Sequence, residues 1–285
     1  GGGKIYRPVR AVQLEKDCSG RVVSFIAKNE EDGKYRRFVG KKGVIIASGD
    51  IEGDREMLEA FCPIALKALH ARYFPKGNNT GDGHKMAYWA GAVFEDASWA
   101  LSLHLIAYAY YCFFFLHVNR QGKRFMNEDT WIQAKAIRCL MQPEGDWAYT
   151  IFDSKWYDEC SKLAQYGGGQ FVDSLRAVYG RPWTENNDTR KAIENYISNG
   201  LCARCDTIEE LAEQIDIPKD NLVRTVARYN ELYKLGEDAD YGKRANLLTR
   251  IDKPPYYALK WGPALLNVFG GLLIDTKMRV LNKDR

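Results

Sequence analysis

The run from Trp99 to Val118 is about as long as a helix needs to cross a bilayer, so how it folds decides what the rest of the chain is. Ser102, His104 and His117 interrupt it, and no basic flank immediately precedes it. Its side chains also alternate. Leu101, Leu103, Leu105, Ala107 and Ala109 fall on one face of a strand, and Ser102, His104, Tyr108 and Tyr110 on the other. A lipid-facing helix gains nothing from that pattern, whereas a strand with one face in a core and one in a polar crevice does. A helical reading stays open, because His104, Tyr108 and Tyr111 also share a helix face. Two glycine-marked polar stretches bracket the run: Gly-Asn-Asn-Thr-Gly-Asp-Gly at Gly77 to Gly83, and Val-Asn-Arg-Gln-Gly-Lys-Arg-Phe-Met-Asn-Glu-Asp at Val118 to Asp129. Turns that let backbone approach a ligand, around an apolar lining, predict a ligand crevice.

Composition removes several alternatives. The net charge is +4 on 41 basic and 37 acidic residues, with no basic block interleaved with aromatics, so nucleic acid is not an expected partner. The 7 cysteines are odd in number and scattered, which excludes a disulfide framework. Cys202-Ala-Arg-Cys205 is a lone CxxC with no second pair at ligand distance, so no metal is expected. The 17 Tyr, 12 Phe and 7 Trp suit a planar ligand and equally suit a bulky core. No signal peptide is visible, so the compartment is open: a soluble protein, bacterial-type cytoplasmic or exported.

Along the chain, Val9 to Leu14, Arg21 to Lys28 and Tyr35 to Val39 read as a meander of short strands. Val44 to Ala47 is a continuous apolar run, predicted as a strand buried on both faces. It leads through Ser48-Gly49-Asp50 to a helix capped by Asp54 and ending near Phe61. Strand, glycine turn and helix place backbone N–H groups where a nucleotide can use them. A short helix follows Gly81-Asp82-Gly83, with His84 at its start in a capping or surface role. From Trp147 the pattern becomes helical: after a strand at Tyr149 to Phe152, helices are predicted over 155–163, 189–198, 207–215 and 221–235. The last carries a buried stripe of Leu222, Val226, Tyr229 and Tyr233. Gly167 to Gly169 is a loop, and the chain returns to strands at Tyr256 to Trp261, Leu272 to Asp275 and Arg279 to Leu281.

Four of these segments, in this order, carry a resemblance: Lys42-Gly-Val-Ile-Ile-Ala-Ser-Gly-Asp50, Asn79-Thr-Gly-Asp-Gly83, Val118 to Glu128, and Gly270-Gly-Leu-Leu-Ile-Asp275. Together they resemble the flavoproteins that include soluble fumarate reductases of the flavocytochrome c type, the succinate dehydrogenase flavoprotein, urocanate reductase and 3-ketosteroid dehydrogenases. The resemblance implies a fold that is α/β and α+β, part of a Rossmann-like FAD-binding domain with an inserted capping domain. Residues 1–97 and 263–285 would belong to the FAD-binding domain, and 98–262 to the cap, which binds substrate. It also implies an internal piece of a larger protein, with a GxGxxG segment before Gly1 and a flavin-contacting segment after Arg285.

Carried over position by position, Val12 would lie near the adenine, Ser48 and Gly49 along the FAD, and Asp82 would bind it. The parent would be a flavin-dependent oxidoreductase that reduces or forms a C=C bond next to a carbonyl or aromatic group, fed by a separate electron donor. The alternative is a binding module, or an inert piece lacking a complete FAD site. In fumarate reductases an Arg just past the Asn-Glu pair donates a proton to substrate; Ile132 stands here. Family His residues that hold substrate carboxylates fall near Leu103, beside His104, and at Leu266-Asn267. A dicarboxylate without buried cations would lose several kcal/mol per charge on desolvation, so a small-molecule substrate other than fumarate is expected. Tyr108, Tyr110 and Tyr111 are the candidate acids, with packing as their other reading, and Arg138 is the nearest cation.

Overall fold

The computed structural model describes residues 2–68, 70–71, 78–107, 114–163 and 189–284. Strands β1 (Val9–Lys16), β2 (Val22–Asn29) and β3 (Tyr35–Val39) form an antiparallel meander in the order β1-β2-β3. β-branched and aromatic residues favour these pleats, and Asp17 fixes the first turn by accepting from the backbone of Ser19 and Arg21. Helix α1 (Arg55–Phe61) starts at Asp54, whose carboxylate accepts from Met57 N at 2.9 Å. Two-residue β4 (His70–Ala71), helix α2 (Asp82–Trp89), strand β5 (Ala100–Ala107) and strand β6 (Leu116–Asn119) follow. Then come α3 (Ile132–Leu140), β7 (Ala148–Asp153), α4 (Trp156–Leu163), α5 (Thr189–Ser198), β8 (Cys202–Cys205), α6 (Ile208–Gln214), α7 (Lys219–Leu235) and β9 (Tyr256–Phe269).

The chain divides into two compact units, one of residues 1–66, 73–102 and 266–285, the other of 67–72 and 103–265. The first holds the meander, α1 and α2. The second is built on a six-stranded sheet in which β9 pairs with β4, β5, β7 and β8, and β7 pairs with β6. Alternation along those strands fills two cores. Leu116, Val118, Ile151, Ala203 and Ala258 pack on one face with Leu211, Leu222 and Val226 of α6 and α7. Phe115, Phe152, Cys202, Tyr257 and Leu259 pack on the other with Trp156, Cys160 and Ile193 of α4 and α5. A sheet covered by helices on both faces buries both sets of its side chains; most here are apolar, and the buried polar pair His117 of β6 and Thr150 of β7 hydrogen-bond each other.

Trp99 to Ala107 settles the opening question in favour of the strand: β5 begins at Ala100, and Leu103 is buried. No helix among the described residues is long and apolar enough to cross a membrane. Other expectations change. Val44 to Ala47 forms no ladder with any described strand, and Ile45 is 92% exposed. An apolar run becomes a strand only where a partner takes its N–H and C=O groups; here Ile46 instead lies under α2. The region after Trp147 is not a helical subdomain, since β8 and most of β9 run through it. The α7 stripe closes with Leu232, while Tyr233 is exposed. Ile274 meets Val280 in an isolated bridge rather than in paired strands. Gly167 to Gly169 lie outside the described residues.

The lone CxxC is itself β8. Cys202 packs with the α4–α5 core and Cys205 against the α6–α7 core, so the two thiols face opposite sides of the sheet and cannot share an ion. Among the described residues no group of three or more His, Cys, Asp or Glu could hold a metal.

Candidate functional site

In the first unit, two turns meet. Gly49 has φ of 86°, a left-handed conformation that glycine adopts without steric cost, and Ser48 and Gly49 are both exposed. The second turn enters α2 through Gly81, at φ 66°. The two are pressed together: a Cβ on Gly83 would stand 2.0 Å from Ser48 Oγ, and one on Gly49 would stand 2.5 Å from Asn79 Oδ1. The spacing therefore demands glycine at both places and leaves backbone open to a ligand.

Asp82 opens α2 beside this junction. Arg10 on β1 donates to its Oδ2, with Nε at 3.1 Å, and Thr80 Oγ1 donates to its Oδ1 at 2.8 Å. Burial works against ionisation of Asp82, but those hydrogen bonds and the charge of Arg10 outweigh it and hold its pKa below the usual carboxylate range. Its side chain remains 35% exposed, so a charged acceptor faces outward at a helix N-terminus. The neighbouring strand carries Val12 at a bulge: Ala11 pairs with Ala27 and Gln13 with Ile26, leaving Val12 as the extra residue.

Two buried polar atoms beside these turns have no hydrogen-bond partner among the described residues, although the Glu52 carboxyl is also hydrogen-bonded to Asn79. Glu52 is 8% exposed with Oε2 unbonded, and burial, chiefly, raises its pKa. His84 is half-buried rather than a surface or capping residue; Gly81 is the N-cap and makes no side-chain cap. The His84 ring packs near Phe94 and Trp99, both at 6.3 Å between centroids, and its Nδ1 is buried without a partner. Burial lowers the His84 pKa and the charge of Asp50 opposes that shift. Gly271 makes room for the ring, since a Cβ there would lie 3.0 Å from His84 Nε2. Asp50 meanwhile ties down the end of β9, accepting from Val268 N at 2.7 Å. Next to Val268, Asn267 is partly buried.

In the second unit, the motif Val118 to Asp129 builds a buried charge network. Arg124 donates to Glu128 through Nε and Nη2, both at 2.8 Å, and to Asp238 through Nη1 and Nη2 at 2.8 and 2.7 Å. Lys243 lies 3.4 Å from Glu128 and donates to Tyr229 Oη at 2.7 Å. His117 shares a hydrogen bond with Thr150 at 3.1 Å. Lys135 on α3 is fully buried, and desolvation lowers its pKa well below that of a free amine. Burial also pushes His117 well down, assisted by the charges of Lys135, Lys243 and Arg124. The Arg and Glu of this motif are thus spent on each other. His104 is half-buried on β5, Ile132 is the first residue of α3, and Arg138 is exposed. Tyr108, Tyr110 and Tyr111 lie outside the described residues.

The structure therefore brings together Ser48, Gly49 and Asp82, with Val12 on the strand that supplies Arg10 to Asp82. It adds Arg10, Glu52 and His84, which no sequence pattern singled out for this site, and gives Asn79 and Thr80, already inside the motif that marked where to look, their contacts with Gly49 and Asp82. Exposed turn backbone, an ionised carboxylate facing outward and unbonded polar atoms beside them are what a polar dinucleotide cofactor needs, and these residues fit FAD.

A glycine turn and a helix start holding an acceptor carboxylate suit a nucleotide cofactor. The chain belongs to the FAD binding domain family, whose model matches residues 2–285. It is 29% identical over 284 residues to a fumarate reductase (cytochrome) of Shewanella frigidimarina, covering 97% of this chain and 43% of that protein. It is 29% identical over 295 residues to an NADH:acrylate oxidoreductase of Vibrio harveyi, covering 99% of this chain and 26% of that protein. Among solved structures, the 3-ketosteroid delta1-dehydrogenase of Sterolibacterium denitrificans shares the fold. Its TM-score is 0.70 at 22% identity, with 97% of this chain and 51% of that one covered. The chain thus spans less than half the length of the curated relatives named here.

Proposed function

We propose that the protein containing this chain is an FAD-dependent oxidoreductase that reduces or forms a C=C bond next to a carbonyl or aromatic group, on a substrate other than fumarate. The family match across the whole chain carries this reading. FAD, when bound, supplies the two-electron donor or acceptor. In this reading residues 1–97 and 263–285 hold the cofactor and 98–262 bind substrate. Asp82 accepts a hydrogen bond from the cofactor while Arg10 and Thr80 hold its carboxylate in place. Ser48 and Gly49 offer backbone along it, and Val12 packs near its adenine. A separate electron donor reduces it.

The substrate reading rests on charge. Both relatives are named for α,β-unsaturated carboxylates, one with two charges and one with a single charge. Ile132 carries no proton to give, and the cations Arg124 and Lys243 are already paired with buried carboxylates. A substrate with one negative charge or none avoids stranding a second charge out of water. Proton transfer then falls to a neutral acid, with Tyr108, Tyr110 and Tyr111 as candidates and His104 and Asn267 as substrate contacts.

The test is anaerobic rapid mixing of the reduced full-length flavoprotein with a panel of enones, acrylate-type acids and fumarate, read at the flavin absorbance. Reoxidation by neutral or singly charged acceptors, faster than by fumarate, is expected. Fumarate as the fastest acceptor would overturn the substrate reading. Silence across the panel would leave the binding-module alternative, which the missing proton donor at position 132 favours.

A further inference from the structure

A pocket of about 590 Å³ in the second unit has no part in the reading above. One wall is a single face of α7, where Asn221, Arg224, Thr225 and Arg228 recur at helical spacing. Lys123, Arg124 and Tyr241 also line the pocket, and Asp240 is its one lining carboxylate among the described residues. The two stretches are fixed to each other: Thr225 Oγ1 donates to Gly122 O at 2.7 Å and Asn221 Nδ2 to Gln121 O at 2.8 Å. Gly122, at φ 70°, lies so close that a Cβ would stand 3.0 Å from Leu222 N.

The charges around this pocket do not balance. Arg124 is neutralised from within by Glu128 and Asp238, and Arg228 is shared by Asp240 and Glu231. Lys123 and Arg224 are exposed, and no carboxylate among the described residues pairs with either. Among the described residues Arg224 donates to the neutral Asn221 Oδ1, at 2.6 Å. Two unpaired cations lining one pocket attract an anion with more than one negative charge.

We propose that this pocket binds a phosphate-bearing small molecule, its charged oxygens held between Lys123 and Arg224. Arg224 has donor groups left for a bidentate grip on phosphate, and Lys123 supplies a point charge. Tyr241 and Thr225 border the same space and complete the polar mouth.

The experiment is calorimetric titration of the full-length protein with pyrophosphate at low ionic strength, using wild type, the double variant Lys123→Gln/Arg224→Gln, and Asp82→Ala. Saturable binding is expected that weakens at least about tenfold in the double variant and is unchanged by Asp82→Ala. Because both substituted residues are exposed, an unchanged melting temperature in the double variant shows that the loss is local. The proposal is overturned by no saturable heat in the millimolar range. It is equally overturned by binding that the double variant retains, or by binding that Asp82→Ala abolishes, which would place pyrophosphate on the cofactor site instead.

Discussion

Replacing Arg124 with Met tests whether the second glycine-marked motif is a structural keystone. The Arg124 side chain is 6% exposed and makes four hydrogen bonds of 2.7–2.8 Å to Glu128 and Asp238, whose carboxylates are fully buried. Its guanidinium also lies 5.1 Å from the Tyr229 ring centre and 4.9 Å from that of Tyr241. Removing one partner of a buried ion pair costs about 3–5 kcal/mol, because the charges left behind have no water to turn to. Some compensation remains. Lys243 stays near Glu128, and Asp238 still accepts from the backbone of Lys243 and Asp240. The expected loss is therefore about 4 kcal/mol, a large part of the 5–15 kcal/mol of a typical domain. Urea unfolding followed by circular dichroism, with midpoints and slopes fitted together, measures it. The double variant Arg124→Met/Asp238→Asn should lose less than the sum of its parts, since the second change removes a stranded charge. A loss under about 1 kcal/mol for Arg124→Met would mean that these groups behave as a surface pair and that the network is open to water.

Two further predictions use other sites. Burial raises the Glu159 carboxyl to about 7, assisted by the charges of Asp153 and Asp252. A carboxyl whose folded pKa is raised contributes most at low pH. Stability should fall as pH rises from about 4.5 to about 7, by roughly 1–2 kcal/mol once partial exposure is discounted, and be flat above. Glu159→Gln should remove that slope in unfolding measured at pH 4.5 and pH 8; a slope that persists would assign it to another group. Gly83→Ala puts a methyl 2.0 Å from Ser48 Oγ and should displace the Ser48–Gly49 turn. FAD affinity should drop at least about tenfold, with partial recovery in Gly83→Ala/Ser48→Gly. Unchanged affinity, by fluorescence quenching of the flavin, would take that turn out of the cofactor site.

Local pattern was enough for much of the fold. The meander, α1 with its Asp54 cap, α5 and α7 follow from periodicity and capping chemistry within one segment. Thr207 and Glu210 form the reciprocal capping box that their spacing implies. What local pattern misses is partnership. Val44 to Ala47 is as apolar as any strand but has no described ladder, while Cys202 to Cys205 resembles a ligand pair and becomes a strand because β9 takes its hydrogen bonds. Strand β9 reads as broken because Gly262 and Pro263 interrupt it. Yet its pairing with β7 ends at Trp261 and that with β4 begins at Ala264, so the residue without an N–H falls between the two ladders. Gly262 is required for another reason: a Cβ there would stand 2.4 Å from Asp146 O. At the site, the Thr-Gly-Asp-Gly turn was legible. The partners that charge and orient Asp82, from 72 residues away in the case of Arg10, were not. Nor could spacing show that Lys135 is buried, since its neighbours Glu128 and Lys243 belong to other segments.

Flavin content of the purified full-length protein, wild type against Asp82→Ala, tests the central claim most directly. An outward-facing carboxylate that accepts a hydrogen bond from the cofactor is worth roughly 1.5–3 kcal/mol, about 10- to 150-fold in affinity. Wild type should carry a visible flavin spectrum near one FAD per chain, and Asp82→Ala should lose most of it and recover it only at raised FAD concentration. A colourless wild type that takes up no FAD, or a variant that holds FAD as tightly as wild type, would contradict a cofactor site at this turn.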